Sequence, residues 1–269
     1  AKVDMVTDLN CNWFVDYNYD YIDENTNKPV GTLRIPSFLI HNDKAVCSRN
    51  LLKSSINTFK ENLLTLFKEN PETLAYYDIK FEDIEEVNAT AASELEFWVK
   101  TPNEKAHIEE LSTSQVLQEQ YWTRTKGAVR TALEETLILM EEYGFKPEMG
   151  HKEVGGVKSK LEPNGQFNHI MEQLEIDWKY DDATQSADNE IFVKILIQET
   201  FRRHGLDVTF SAKPIDDVAG NGMHIHLGAS LKLVNGKIIN LFHSKENGFI
   251  SPVGYGSVMG ILNNYEIMN

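Results

Sequence analysis

Cysteine is scarce in this sequence: Cys11 and Cys47 are the only two among 269 residues. Two cysteines make no disulfide framework, so we expect a hydrophobic core to stabilise the fold, with the reducing cytoplasm as the default location. Long apolar runs are absent too. No stretch approaches the roughly 20 apolar residues of a membrane-spanning helix, and no charged and then apolar leader opens the chain. These absences predict a cytoplasmic globular protein.

Positive charge is in short supply as well. Lysine and arginine total 26 against 41 aspartates and glutamates, which gives a formal net charge of −15 at pH 7. Because phosphate groups and anionic lipids repel such a chain, its composition argues against nucleic acid or a membrane surface as the main partner. The surplus carboxylates are available to bind metal ions.

Apolar residues at helical spacing predict three amphipathic helices packed on a sheet. The first begins with Ser48 as its N-cap, and the third covers residues 183–203. The second is long, from about residue 114 to residue 143, with Ser112 and Gln115 as a capping pair.

The first 47 residues are expected to form strands and turns. Strand-like segments at residues 13–15 and 33–40 are separated by a polar stretch at residues 16–28. Residues 1–47 hold too few apolar side chains for a core of their own, so we expect them to pack against the larger part, residues 48–269.

Three predicted strands carry acidic or polar residues on one face and apolar residues on the other, because side chains alternate along a strand. Their polar residues are Glu94 and Glu96 in the first strand, Glu153 near His151 in the second, and Gln173, Glu175 and Asp177 in the third. A fourth strand follows a Gly-rich turn at residues 219–222. It places His224 and His226 on one face and its apolar residues, Met223, Ile225 and Leu227, on the other.

These carboxylates and histidines have two explanations. The first is that they are ordinary solvated strand faces beside a turn. The second is a metal site, because carboxylates cluster at a free-energy cost unless a cation neutralises them. Oxygen ligands with one or two imidazoles suit Mg²⁺ or Mn²⁺ better than Zn²⁺. Two such ions side by side are typical of phosphoryl transfer, since they bridge phosphate oxygens.

Several motifs, in their order along the chain, resemble those of the glutamine synthetase family, near its type III branch. They are Ser-Glu-Leu-Glu-Phe (93–97), Gly-His-Lys-Glu-Val (150–154), Glu-Gln-Leu-Glu-Ile (172–176), and the block from Arg203-His204-Gly205 through Lys213-Pro214 to Gly222-Met223-His224-Ile225-His226. The resemblance runs from about Thr32 to the C-terminus. The histidine block is the specific part, whereas the single strands are not specific by themselves.

The resemblance implies an α+β fold, in which a mainly antiparallel curved sheet, a half barrel, is backed by helices. It implies that residues 1–47 are the remainder of an N-terminal β-grasp-like domain. Residues 48–269 are then the first part of the catalytic domain. In this family active sites form between subunits, so a homo-oligomer is expected.

The resemblance also implies site residues. Glu96, Glu153 and Glu175 match the glutamates that hold the tighter cation. Glu94 and His224 match ligands of the second cation, which lies nearer the nucleotide.

Three further residues are implied to contact the substrates. His226 matches the catalytic histidine beside the phosphates and the substrate carboxylate. Gly220 matches the glycine whose backbone lies against bound glutamate, and Asn221 stands beside it where the family has serine.

The implied activity is the ATP-dependent ligation of ammonia to the side-chain carboxylate of glutamate through an acyl phosphate, giving glutamine. Two or more Mg²⁺ or Mn²⁺ ions would serve each site. A γ-glutamyl–amine ligase is an alternative, because Ala219 and Glu172 replace the family's asparagine and glycine. A non-catalytic, synthetase-like protein that binds metal or a partner is a second alternative. A metallohydrolase is a distant third, since no open zinc site is evident.

The chain is also expected to be incomplete relative to the family. It starts without methionine at Ala1, and it ends at Asn269, before the family's phosphate-binding arginines, the third ligand of the second cation and the flap glutamate. Residues 155–171 are expected to be an insertion. The chain alone is therefore expected to bind metal weakly and to show no ligase turnover.

Overall fold

The computed structural model describes residues 2–102, 117–161, 167–245 and 249–268. The strands are β1 (Asp4–Thr7), β2 (Phe14–Asp23), β3 (Lys28–Arg34), β4 (Ser37–His41), β5 (Lys44–Ala45), β6 (Ile84–Pro102), β7 (Pro147–Leu161), β8 (Phe167–Trp178), β9 (Asp181–Asp182), β10 (Asp207–Thr209), β11 (Met223–Leu233) and β12 (Ile238–Asn240). The helices are α1 (Ser48–Glu69), α2 (Glu72–Ala75), α3 (Leu117–Gln120), α4 (Gly127–Glu142), α5 (Ala183–Arg203), α6 (Pro252–Asn263) and α7 (Tyr265–Met268).

The largest sheet is built around the long strand β6. Its order is β12-β11-β6-β8-β7, and the short strands β9 and β10 also pair with β6. All of these pairings are antiparallel. Helices α4 and α5 pack on one face of this sheet. The predicted α+β fold, a mainly antiparallel sheet backed by helices, is therefore confirmed.

The main core lies between this sheet and helices α4 and α5. The apolar residues of β6 and β8 that alternate with the acidic ones are fully buried there: Leu95, Phe97, Val99, Leu174, Ile176 and Trp178. Phe97 meets Phe201 of α5 edge-on, with ring centroids 5.4 Å apart. Burial of each such side chain stabilises the fold by about 1.5–3 kcal/mol. Because these side chains face the helices, the acidic residues between them must face the other side of the sheet.

The N-terminal residues pack on the rest of the chain, as expected. They form a small sheet of β1, β4 and β5 and a separate β2–β3 hairpin. Phe14 is part of the main core and stacks on Phe192 of α5 at 4.9 Å. The Tyr143 hydroxyl donates a 2.5 Å hydrogen bond to the carbonyl of Val15. The division into domains at residues 47 and 48 stays a prediction.

The predicted strands of this region need two corrections. The polar stretch after residue 15 is not a spacer, because β2 continues to Asp23 and pairs with β3. Asn27 completes the connecting turn with a φ of 52°. The predicted strand at 33–40 is broken at Ile35 and Pro36, since proline has no N–H for a ladder hydrogen bond and restricts the residue before it.

The first and third helices agree closely with the predictions. Helix α1 begins at Ser48, although Cys47, with extended backbone angles, is its N-cap residue in place of Ser48. Helix α5 covers the predicted residues, and the Asp182 side chain caps it by accepting a 3.0 Å hydrogen bond from the N–H of Thr184.

The prediction of one long second helix is wrong. Helices α3 and α4 are separated by non-helical residues 121–126. Lys126 is extended, and Gly127, the first residue of α4, has a φ of 59°, so a right-handed helix cannot continue through these two residues from α3. Ser112 and Gln115, the predicted capping pair, lie outside the described residues. In the part of the chain that is described, no helix is long and apolar enough to cross a membrane.

Strands β7 and β8 form a long hairpin. The residues predicted to be an insertion extend it, because Val157 pairs with Met171 and Leu161 pairs with Phe167. The connecting residues 162–166 lie outside the described part. The described residues of this predicted insertion therefore lie in two paired strands of the sheet.

The apolar face of β11 is covered along only half of its length. Leu231 and Leu233 are buried against Leu63 and Phe67 of α1, in a second apolar cluster. The residues that alternate with the two histidines are exposed by about half: Met223 by 44%, Ile225 by 51% and Leu227 by 63%. The expectation that helices cover this face is therefore wrong for the first half of β11, where the described residues leave an apolar groove between α1 and α6.

Candidate metal centre

The candidate residues lie in two neighbouring rows across the sheet, and strand register produces both rows. In the first row, His224 of β11 pairs with Glu94 of β6, and Glu94 also pairs with Asp177 of β8. Directly paired residues of an antiparallel sheet point to the same face, and neighbouring strands lie about 4.8 Å apart. Two carboxylates and an imidazole are thereby brought together.

The second row lies two residues further along β6. Glu96 pairs with Glu175 of β8, and Glu175 pairs with His151 of β7. The two rows are on the same face, because Glu94 and Glu96 are two residues apart on one strand. This is the face opposite helices α4 and α5, so the acidic and imidazole side chains share one surface of the sheet.

A bulge in β7 adds Glu153 to this surface. Lys152 pairs with Leu174 and Val154 pairs with Gln173, so Glu153 is the extra residue between them. A bulge of this kind bends a strand and redirects a side chain. The Glu153 carboxylate consequently lies 3.8 Å from Nδ1 of His151.

Glu94 is held by both histidines of β11. Its Oε2 lies 3.0 Å from Nδ1 of His224, and its Oε1 lies 2.6 Å from Nε2 of His226. Burial acts to raise the pKa of Glu94, but the hydrogen bonds with His224 and His226 outweigh it and leave the pKa below its usual value. Glu94 is therefore an ionised, oriented carboxylate.

Glu96 is buried and is held by N–H donors. Its Oε2 accepts hydrogen bonds from the backbone N–H of Gly222 at 2.7 Å and from Nε2 of Gln173 at 2.9 Å. A Cβ atom on Gly222 would lie 2.9 Å from Oε1 of Glu96 and 3.3 Å from Nε2 of His224. Only glycine allows the backbone to approach the two side chains so closely.

The remaining carboxylates crowd one another. Burial, together with Asp177, Glu153 and Glu96, raises the pKa of Glu175. Burial and the nearby Glu96 raise the pKa of Glu153, and burial raises the pKa of Asp177. These three groups hold negative charge poorly by themselves, and a bound cation would relieve that cost.

Two overlapping groups of side chains have ligand atoms within 4.8 Å of one another. The first is Glu94, Glu175 and His224, and the second is His151, Glu153 and Glu175. Glu175 belongs to both groups. Of the five predicted ligands, these groups contain Glu94, Glu153, Glu175 and His224, while Glu96 lies adjacent but in neither group. The division of the ligands between two cations stays a prediction.

The Gly-rich loop before β11 is anchored by Gln173. Its Nε2 donates to the carbonyl of Gly220 at 2.8 Å and contacts Oδ1 of Asn221 at 3.1 Å. The Asn221 amide donates to the carbonyls of Thr209 and Ser211. A Cβ atom on Gly220 would lie 2.4 Å from the Ala212 carbonyl oxygen, so the loop requires glycine there. The predicted substrate-binding pair therefore borders the carboxylates.

Comparison with known families identifies this chain. The model of the glutamine synthetase catalytic domain matches residues 78–269, which include all the strands of the candidate site. The chain belongs to the glutamine synthetase family.

The curated relatives agree with this family. A glutamine synthetase from Clostridium saccharobutylicum is 33% identical over 131 residues, which are 49% of this chain and 25% of that protein. A glutamate–isopropylamine ligase from a Pseudomonas species is 42% identical over 95 residues, which are 35% of this chain and 20% of that protein. The matched regions span a quarter or less of the length of these relatives.

Solved structures show the same fold. A structure of GmaS with ADP has a TM-score of 0.58 at 21% identity, covering 87% of this chain and 44% of that one. The glutamine synthetase of Plasmodium falciparum has a TM-score of 0.57 at 17% identity, covering 94% and 47%. The curved antiparallel sheet backed by helices is therefore the glutamine synthetase fold.

Two residues that differ from the family motif, Glu172 and Ala219, each make a hydrogen bond in the structure. Glu172 accepts a 2.7 Å hydrogen bond from Nζ of the buried Lys152. The carbonyl of Ala219 accepts a 3.2 Å hydrogen bond from Nε1 of Trp98, which keeps the loop against β6. Both substitutions are thus accommodated without loss of the loop or of the β7–β8 pairing.

Two residues at the centre were not among the predicted ligands of the glutamine synthetase site. Asp177 lies on the same polar face as Glu175, two residues further along β8, and that alternation was the available signal. His151 lies two residues before Glu153. Its position opposite Glu175 depends on the β7–β8 register, which the sequence pattern does not specify.

Proposed function

We propose that this protein catalyses the ATP-dependent ligation of ammonia to the side-chain carboxylate of glutamate, giving glutamine through an acyl phosphate. The observation that carries the proposal is the pair of overlapping ligand groups that share Glu175. They lie on one sheet face, in a chain that matches the glutamine synthetase catalytic domain. Clustered carboxylates supply the oxygen ligands that Mg²⁺ or Mn²⁺ prefers beside a phosphate chain.

In this proposal the carboxylates divide between two cations. Glu96, Glu153 and Glu175 hold the tighter ion, and Glu94 and His224 hold the ion nearer the nucleotide. When bound, these ions supply positive charge to the phosphate oxygens of ATP during transfer. Oδ1 of Asp177 is buried and has no hydrogen-bond partner among the residues that the structure describes. This atom and the raised pKa values of Glu153 and Glu175 support a cation at this place.

The protein's own groups orient the reactants. His226, exposed beside Glu94, donates a hydrogen bond to the phosphates or to the substrate carboxylate. Its hydrogen bond with Glu94 ties it to the second-cation ligands. Gly220 presents its backbone to glutamate, and Asn221 and Gln173 keep the loop in place for that contact. Such positioning lowers the entropic cost of bringing carboxylate and phosphate together.

The proposal is tested with protein expressed from its complete coding sequence. Phosphate release from ATP and glutamine formation are measured with glutamate, ammonium and Mg²⁺ or Mn²⁺. E94Q and H224N should each lower kcat/KM by about a hundredfold or more, because charge stabilisation of the transferring oxygens is lost. E61Q, at an exposed position on α1, is the matched control and should leave turnover unchanged. Metal binding without glutamate-dependent phosphate release would instead indicate a non-catalytic member of the family.

A second candidate function is a γ-glutamyl–amine ligase, in which an amine replaces ammonia. It is favoured by the 42% identity with a glutamate–isopropylamine ligase. The same assay with a panel of small alkylamines separates the two. Higher kcat/KM for an alkylamine than for ammonium would identify the amine ligase.

The proposal includes a cytoplasmic homo-oligomer with active sites between subunits. Both cysteines are free, which suits a reducing compartment such as the cytoplasm. ATP is the expected phosphoryl donor. Light scattering of the complete protein measures the oligomeric state directly, and a monomer that turns over glutamate would contradict this part of the proposal.

A further inference from the structure

His151 presents a buried nitrogen that needs a partner. The residue is 8% exposed, and its ring packs against Tyr121 with centroids 4.1 Å apart. Among the described residues, no hydrogen-bond partner lies within reach of its Nε2 atom. The nearest carboxylate oxygens are Oε1 of Glu175 at 3.8 Å and Oδ2 of Asp177 at 3.9 Å, both too far for a hydrogen bond.

The other ring nitrogen determines the tautomer. Nδ1 of His151 lies 3.1 Å from the backbone carbonyl oxygen of Lys152. A carbonyl oxygen only accepts, so Nδ1 carries the hydrogen and donates it. In the neutral ring, Nε2 then has a lone pair aimed at the two carboxylates. Histidines that bind metals characteristically donate their second ring N–H to a backbone carbonyl or carboxylate in this manner.

The distances suit a shared cation. Ligand atoms at roughly 2.1 Å from one ion are at most about 4.2 Å apart. The separations of 3.8 and 3.9 Å fall inside that limit. Asp177 contributes a second argument, because its Oδ1 atom is also buried without a hydrogen-bond partner in the described part of the chain.

We propose that Nε2 of His151 is a nitrogen ligand of a divalent cation that it shares with Glu175 and Asp177. The family resemblance assigns neither His151 nor Asp177 to a metal. The inference concerns metal binding alone, and it does not depend on the ligase activity proposed above.

A nitrogen ligand gives this position a metal preference. Mg²⁺ takes oxygen ligands almost exclusively, whereas Mn²⁺, Co²⁺ and Zn²⁺ accept imidazole readily. His151 should therefore favour Mn²⁺ over Mg²⁺ at the ion that Glu175 holds. If His151 had only a structural role, removing it would change neither the atoms that bind the ion nor the preference for Mn²⁺ over Mg²⁺.

The first experiment substitutes only exposed residues, so the variant is expected to fold. In the H224N/H226N variant, only buried His151 remains at the centre among the three histidines. Metal-free protein receives less than one equivalent of Mn²⁺, and electron spin-echo modulation detects coupling to histidine nitrogen. We expect the coupling to persist in H224N/H226N, as in the exposed control H243N. Its disappearance in H224N/H226N would overturn the proposal.

The second experiment removes the nitrogen itself. In H151N the side-chain amide takes the place of Nδ1 and keeps a donor for the Lys152 carbonyl, while the Nε2 position is lost. We expect Mn²⁺ affinity to fall about tenfold to a hundredfold, as for other losses around a metal ligand, with a smaller loss for Mg²⁺. D177N should also weaken Mn²⁺ binding.

Unchanged Mn²⁺ affinity in a folded H151N protein would overturn the assignment. An equal loss for both metals would do the same, because it would indicate a structural role. If H151N does not fold, the nitrogen coupling in H224N/H226N decides the question.

Discussion

Glu96 and Glu175 lie directly opposite each other on β6 and β8, and their carboxylates share one face of the sheet. Their surroundings differ. Glu96 is stabilised by N–H donors from Gly222 and Gln173, whereas Glu175 is crowded by Asp177. Glu96 is thus stabilised by the protein's own donors, whereas Glu175 would be stabilised by the proposed cation.

Glu175→Gln should weaken Mn²⁺ binding and stabilise the metal-free protein. The amide keeps the shape of the side chain, but it is neutral in the buried position without having to bind a proton. At about pH 8 without metal, a gain of about 1 kcal/mol would raise the melting temperature by roughly 2–4 °C. Thermal unfolding in chelator and Mn²⁺ titration measure the two effects, with E61Q as the control. A lower metal-free melting temperature, or unchanged Mn²⁺ affinity, would contradict the assignment.

The stability of metal-free protein should fall as pH rises. The pKa of Glu175 is raised from 4.5 to about 9 by burial with Asp177, Glu153 and Glu96. The folded protein therefore holds a proton that the unfolded chain releases, and stability is lost between about pH 5 and pH 9. Urea unfolding across this range should show the fall, and saturating Mn²⁺ or E175Q should reduce it. If the free energy of unfolding does not change with pH over this range, the pKa of Glu175 is not raised in the folded protein.

Gly222→Ala should disturb the centre without unfolding the protein. The new methyl group would lie 2.9 Å from Oε1 of Glu96 and 3.3 Å from Nε2 of His224, so both side chains must move. We expect Mn²⁺ affinity to fall about tenfold or more, since ligand geometry tolerates little displacement. Gly256, which has open space around it, provides the control G256A. Equal affinities for G222A and G256A would exclude this role of the glycine.

Arg49→Ala should destabilise the contact between the N-terminal residues and the helices. Arg49 binds Asp8 at 3.0 Å and Asp188 of α5 at 2.5 Å, and all three side chains are largely buried. Removing one partner leaves buried carboxylates unpaired, at a cost of about 3–5 kcal/mol. The exposed pair of Arg34 with Asp16 provides the control, and R34A should cost about 0–1 kcal/mol. Chemical denaturation compares them, and similar losses would contradict the prediction.

The two cysteines should differ in reactivity. Burial, with Asp188 and Asp8 nearby, raises the pKa of Cys11 to about 12 even though Arg49 opposes the shift. Backbone N–H groups, first that of Leu39, lower the pKa of Cys47. Because the thiolate is the reactive form, iodoacetamide at about pH 8 should label Cys47 well before Cys11. Peptide mass mapping over time measures both rates, and faster labelling of Cys11 would show that its surroundings are more open.

Much of the fold was predictable because its signals are local. The spacing of apolar residues located α1 and α5, and the alternation along β6 and β8 separated the buried face from the acidic one. The same local reasoning failed for the second helix, where the backbone of Lys126 and Gly127 interrupts a continuous apolar pattern. It also failed for the first half of β11, since alternation predicts which face is apolar and not whether anything covers it.

The sequence alone therefore determined which side chains point away from the core, because a strand's period of two is a property of its own backbone. It did not determine which of those side chains meet. That depends on register between strands far apart in the chain, and a shift of one residue reverses every face. The pairing of Glu175 with both Glu96 and His151, and the bulge that brings in Glu153, were decided by the tertiary structure. Burial of the sheet's apolar face against α4 and α5 selects that register, and the proposed metal centre is its consequence.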